Sequence, residues 1–108
     1  PLTDAFLRDA VTQAELIVQT TSVGMWPNEE AALPFPFEAL RRGQKVIDLI
    51  YNPAETKFLR QTRVHGADAL NGLPMLIGQA AQSLAIWGFP GKEEALWKVA
   101  REMHKKRF

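Results

Sequence analysis

The chain has 108 residues, of which 46% are hydrophobic and 23% charged, with a formal net charge of +1. This size and composition are typical of one globular domain. So small a net charge excludes an electrostatic field that would attract nucleic acid or a membrane surface. We therefore expect neither as a partner. The lack of cysteine excludes a disulfide framework and favours a cytoplasmic protein, and no apolar run is long enough to span a membrane.

The predicted elements alternate between helix and strand along the chain. In order they are a helix at 3–11, a strand at 16–18, a short helix at 37–42, a strand at 45–51, a helix at 56–65, a strand at 67–70, a helix from Gly72 to about Trp87 and a last helix from about Lys92. Strands that alternate with helices and are nearly continuous in apolar residues predict βαβ units and a parallel sheet.

The helix that follows Asn71 has two different sides. At 100° per residue, one side is apolar and is predicted to be buried: Leu73, Leu76, Ile77, Ala80, Ala81, Leu84 and Trp87. Met75 and Gln79 lie on the other side. Asn71 can cap this helix, and Gly72 leaves its first turn without a side chain, so the backbone N–H groups there are open to a ligand. We therefore expect this helix to line a cleft.

Polar residues or glycine follow each predicted strand, at 20–25, at 51–53 and at 71–72. In an open parallel sheet these segments lie at the carboxyl edge, where such sheets bind ligands. Each also has a purely structural interpretation. Thr21 can be a capping residue, Tyr51 a half-buried aromatic residue, and Gly72 a close contact between helix and sheet. Asp48, within a strand, is either a buried acid or an edge residue facing water.

Several kinds of site are excluded by spacing. The seven glycines cannot form G-x-G-x-x-G, the turn that holds a dinucleotide pyrophosphate. Two histidines and no cysteine leave no metal-ligand spacing, so no metal is expected. No serine has a histidine and an acid placed as a hydrolase requires.

Three segments resemble the shikimate dehydrogenase family. Residues 20–25 (TTSVGM) resemble its Asn-Ala-Thr-Ser-x-Gly-Met segment, and 48–59 (DLIYNPAETKFL) its Asp-x-x-Tyr-x-Pro-x-x-Thr-x-Phe-Leu segment. Residues 71–81 (NGLPMLIGQAA) resemble its Asp/Asn-Gly-x-x-Met-Leu-x-x-Gln-Ala-Ala helix. Their order and spacing match the family. Two departures are Gln19, where asparagine is frequent, and Pro74, where a second glycine is frequent.

The resemblance implies an α/β fold, namely the second half of a Rossmann-like doubly wound parallel sheet of about three strands, with C-terminal helices. Residues 1–108 would then be a single partial domain, the C-terminal half of a dinucleotide-binding domain plus those helices. In the family, a Lys and an Asp of an N-terminal domain handle the hydroxyl proton, and a Gly-rich turn holds the pyrophosphate. None of these parts is in the 108 residues, so the resemblance names no catalytic residue here.

The function implied by the resemblance is reversible, NADP-linked reduction of 3-dehydroshikimate to shikimate, in aromatic amino-acid (chorismate) biosynthesis. The residues that would contact NADP are Thr21, Leu49, Gly72 and Met75. Tyr51 and Gln79 would bind the substrate. We expect the chain alone to be inactive and to form homodimers through surfaces that a partial sheet exposes. The alternatives are a stand-alone α/β binding or regulatory module, and a quinate/shikimate dehydrogenase that uses NAD.

Overall fold

The computed structural model describes residues 3–107, with side chains from 3 to 103. In chain order its elements are α1 (Asp4–Gln13), β1 (Leu16–Gln19), a 3₁₀ turn (Phe37–Ala39), β2 (Lys45–Asp48), α2 (Lys57–Val64), β3 (Asp68–Leu70), α3 (Leu73–Ile86) and α4 (Glu93–Arg107). The three strands form one parallel sheet in the order β1-β2-β3. The predicted α/β fold class is confirmed.

The ends of the helices agree well with the sequence, because capping depends on neighbouring residues. The Thr3 hydroxyl oxygen accepts the Phe6 N–H at 3.1 Å and caps α1. The Thr56 oxygen accepts the Leu59 N–H, also at 3.1 Å, and caps α2. Gly66 follows α2 with a φ of +89°, a conformation that favours glycine and ends the helix.

Two predicted elements are shorter than expected because side chains bond to the backbone. The predicted helix at 37–42 is only the 3₁₀ turn, since Leu40 is extended and the Arg41 N–H donates to the side-chain oxygen of Gln44. The strand predicted to reach Tyr51 ends at Asp48, whose carboxylate accepts the Ile50 N–H at 3.1 Å and turns the chain out of the sheet.

The chain divides into two compact units, the first ending at Gly72 and the second beginning at Leu73. The first unit contains the sheet and a core in which α2 packs against β2 and β3. The buried residues of this core are Val11, Leu40, Val46, Phe58, Leu59 and Ala67. Phe35 and Phe37 extend it, since the Phe35 ring meets the Phe58 ring edge-on at 5.0 Å.

The second unit consists of α3 and α4, which pack against each other. The prediction of one buried side on α3 is only partly correct. Ile77 is buried, but Leu76 is 36% exposed and Trp87 70% exposed. Helical periodicity places these residues on one side, whereas burial also requires another surface to cover that side. None of the helices within the described residues is long and apolar enough to cross a membrane.

Candidate functional site

The predicted site residues of the first unit lie at the carboxyl edge of the sheet. Gln19 and Asp48 face each other as the last residues of β1 and β2, and β3 ends two residues before Gly72. Thr21 therefore follows β1, while Leu49 and Tyr51 follow β2. Because the strands are parallel, the sheet brings four predicted site residues to a common edge, namely Thr21, Leu49, Tyr51 and Gly72.

Gly72 makes the closest backbone approach of this edge. A Cβ atom at position 72 would lie 1.8 Å from the Leu49 carbonyl oxygen and 2.4 Å from its carbon. The Gly72 N–H also donates to the Ile50 carbonyl at 3.0 Å. We expected this N–H to be open to a ligand, but it is already bonded within the chain. Close packing against Leu49 explains why position 72 is glycine. Its close approach to Leu49 leaves no room for a side chain at position 72.

Thr21 and Tyr51 both present polar groups on the surface. Thr21 is exposed, and its hydroxyl oxygen accepts the Val23 N–H at 3.2 Å, which closes a local turn. Tyr51 is half exposed. Thr21 thus has a structural role, in a turn rather than as the cap of a helix, and it is exposed.

Met75 and Gln79 lie on α3, in the second unit. Both are exposed, in agreement with their predicted position away from the apolar side. A spacing of four residues places Met75 and Gln79 one turn apart on the same face of the helix. They therefore form a short surface with one thioether and one amide.

The segments that follow the strands are tied to one another. The Trp26 N–H donates to the Asn52 carbonyl at 2.9 Å, which joins the segments after β1 and β2. Asn71 was expected to cap α3, and its side-chain amide donates to the Ala54 carbonyl at 2.9 Å. These bonds hold the segments at the carboxyl edge together, so they are not three independent loops.

Asp48, for which the sequence allows either a buried acid or an edge residue facing water, is fully buried. One carboxylate oxygen accepts from the Gln19 amide at 3.3 Å and from the Ile50 N–H. The other accepts the Thr56 hydroxyl at 2.6 Å. An acid inside an apolar strand signals such a cluster, but its partners Gln19 and Thr56 were not predicted.

A separate cavity of about 280 Å³ lies between the segment 23–37 and α2. Its walls include Leu33, Phe37 and Phe58, with Lys57 and Gln61 as polar residues. None of the predicted site residues lines it. This cavity and the predicted site residues therefore lie in different places.

Comparison with known proteins identifies close relatives of the chain. No family model matches it. The shikimate dehydrogenase (NADP(+)) of Moorella thermoacetica is 46% identical over 86 residues, which is 80% of this chain and 29% of that protein. Among solved structures, the shikimate 5-dehydrogenase of Listeria monocytogenes, in complex with shikimate and NAD, superposes with a TM-score of 0.80 at 28% identity, over 87% of this chain and 33% of that one.

The shikimate 5-dehydrogenase of Thermus thermophilus, in complex with NADP(H) and shikimate, has a TM-score of 0.74 at 31% identity. That match covers 88% of this chain and 36% of the other. The chain thus spans about a third of the length of the proteins that it matches. Over that third, the chain is similar in sequence and in fold to shikimate dehydrogenases.

Proposed function

We propose that the chain is part of an NADP-dependent shikimate dehydrogenase, which reversibly reduces 3-dehydroshikimate to shikimate. The observation that supports this most is the meeting of Thr21, Leu49, Tyr51 and Gly72 at one sheet edge, in a chain that matches the family in sequence and fold. On this proposal, residues 1–108 are the later half of a nucleotide-binding domain together with C-terminal helices.

The residues proposed to contact a nicotinamide nucleotide are Thr21, Leu49 and Gly72 of the first unit and Met75 of the second. Leu49 is partly exposed and offers an apolar surface, and its contact with Gly72 leaves no gap between the two segments. Thr21 offers a hydroxyl group, and Met75 an exposed thioether. When bound, NADP would supply the centre that accepts or donates the hydride. These four residues would hold and orient it.

Tyr51 and Gln79 are proposed to bind the polar groups of the substrate. Shikimate has hydroxyl groups and a carboxylate, and an unpaired polar group costs about 1–3 kcal/mol when a ligand is buried. A phenol and an amide supply donors and acceptors of the required kind. In the longer enzyme, we expect Gln79→Ala and Tyr51→Phe to raise KM for shikimate more than KM for NADP. Equal changes in both constants, or none, would contradict these assignments.

The isolated chain is proposed to be inactive. It contains neither the Lys and Asp that the family uses to move the hydroxyl proton nor a turn for the pyrophosphate, and it spans 29% of its Moorella relative. The test measures NADP reduction by shikimate with the longer protein and with residues 1–108 alone. We expect turnover only for the longer protein. Turnover by the isolated chain at the same rate would contradict this part of the proposal.

NAD is the second candidate cofactor, because the similar Listeria enzyme was solved with NAD bound. An enzyme that uses NAD with quinate or shikimate would share this sheet edge. Comparison of kcat/KM for the two cofactors, with shikimate and then quinate as substrate, separates the candidates. A higher kcat/KM with NADP and shikimate supports the NADP-dependent shikimate dehydrogenase.

The cytoplasmic location stays a prediction.

The isolated chain is also proposed to self-associate. Within the described residues β1 is an edge strand, and its Leu16 and Val18 are 54% and 43% exposed. An unpaired edge strand with exposed apolar side chains favours pairing with the same strand of another copy. Sedimentation of residues 1–108 should show dimers or larger species. A monomer at all concentrations would contradict this proposal.

A further inference from the structure

Gln19 joins two parts of the carboxyl edge through a single buried side chain. Gln19 is 5% exposed and Asp48 is fully buried, and they face each other across β1 and β2. The Gln19 amide nitrogen donates to the Asp48 carboxylate at 3.3 Å. Gln19 is therefore held firmly at the end of the sheet.

The same glutamine also holds the segment that carries Thr21. Its side-chain oxygen accepts the Thr21 N–H, and its nitrogen lies 3.4 Å from the Val23 carbonyl. Val23 in turn donates its N–H to the Thr21 hydroxyl. The position of this turn relative to β2 therefore depends on the Gln19 side chain.

Only one orientation of the Gln19 amide satisfies these partners. The nitrogen faces two acceptors, the Asp48 carboxylate and the Val23 carbonyl, and the oxygen faces a donor, the Thr21 N–H. A flipped amide would place oxygen against oxygen and N–H against N–H. Asp48 is itself fixed by Ile50 and Thr56, so the whole chain of bonds has one arrangement.

We propose that Gln19 is a positioning residue, which holds the Thr21 turn at the carboxyl edge in the position where it would contact the bound NADP. This inference rests on the proposed function. Gln19 touches neither cofactor nor substrate and acts through Thr21. Small displacements of such supporting groups have large effects, since a shift of about 1 Å costs up to 10²-fold in activity.

Gln44 is a matched control within the same unit. It is also a buried glutamine, 3% exposed, and its side chain also bonds to the backbone. The amide nitrogen donates to the carbonyls of Val11 at 2.7 Å and Ala14 at 2.8 Å, and the oxygen accepts the Arg41 N–H. Gln44 precedes β2, at the opposite edge of the sheet from Thr21. Its loss should destabilise the fold without moving the proposed cofactor site.

The experiment compares Gln19→Ala and Gln44→Ala in the longer enzyme. We expect both to lower the melting temperature to a similar extent. Only Gln19→Ala should weaken the Kd for NADPH, by about tenfold in a fluorescence titration, and raise KM for NADP. KM for shikimate should rise less than KM for NADP, since Gln19 bonds directly to the Thr21 N–H and reaches the Tyr51 segment only through Asp48. If the alanine variant does not fold, Gln19→Met keeps the length of the side chain and removes all three of its hydrogen bonds.

Equal Kd values for NADPH in the Gln19 and Gln44 variants would overturn the inference, and so would a Gln19 effect confined to melting temperature. Failure of the proposed function is recognised separately. In that case the wild-type enzyme itself would show no NADP reduction with shikimate. The wild type therefore decides the function, and the pair of glutamine variants decides the role of Gln19.

Discussion

Replacement of Gly72 by alanine tests the close backbone contact at the carboxyl edge. The added Cβ would lie 1.8 Å from the Leu49 oxygen, whereas real Cβ contacts below 3.0 Å are essentially never found. Backbone must therefore move by roughly 1 Å or more, because the obstructing atom cannot rotate away. Such overpacking costs about 1–3 kcal/mol, and loss of the bond from the Gly72 N–H to Ile50 adds about 1 kcal/mol.

We expect Gly72→Ala to lower the free energy of unfolding by about 3 kcal/mol, which corresponds to a fall of at least about 10 °C in Tm for a chain of this size. Gly78→Ala is the control, since a Cβ there meets nothing within 4 Å and the residue lies inside α3. Alanine is the better helix former, so this change should add about 0.5–1 kcal/mol. Urea unfolding followed by circular dichroism measures both. A Gly72→Ala chain as stable as the wild type would refute the contact.

Three further predictions concern stability, each measured by urea unfolding. Thr56→Val removes both the cap of α2 and the hydroxyl bonded to Asp48, and should lower the free energy of unfolding by about 2–3 kcal/mol. Thr56→Ser keeps the hydroxyl and should lower it by less than about 1 kcal/mol. Equal losses for the two variants would contradict a role for the hydroxyl. Thr3→Ala removes the cap of α1 and should cost about 1 kcal/mol; no loss would mean that the cap is not formed in solution. Lys45→Ala should change stability by less than about 0.5 kcal/mol, because its pairing with Asp68 is exposed; a larger loss would contradict this.

The sequence predicted those features of the fold that depend on nearby residues. Thr3 and Thr56 cap the starts of α1 and α2, and Gly66 follows the end of α2. These contacts join residues at most four apart, so the predicted ranges 3–11 and 56–65 lie within two residues of the observed helices. The parallel sheet followed from the alternation of strands and helices. The carboxyl edge followed from the sheet, since the ends of parallel strands meet on one side.

Features that depend on distant residues could not be predicted. Gln19 and Asp48 are 29 residues apart and meet only because of the register of β1 and β2. The Arg41 N–H donates to the Gln44 side-chain oxygen instead of forming a helical bond, and a helical pattern in the sequence does not predict this either. Trp87 lies on the apolar side of α3 but is 70% exposed, because periodicity gives the side of a helix and not the surface that covers it.

A crystal structure of the longer protein with NADP and shikimate tests the proposed site most directly. We predict that Thr21, Leu49, Gly72 and Met75 lie within about 4 Å of the nucleotide, and that Tyr51 and Gln79 bond to the substrate. Ligands bound away from the carboxyl edge of the sheet, with these side chains still facing solvent, would contradict the account.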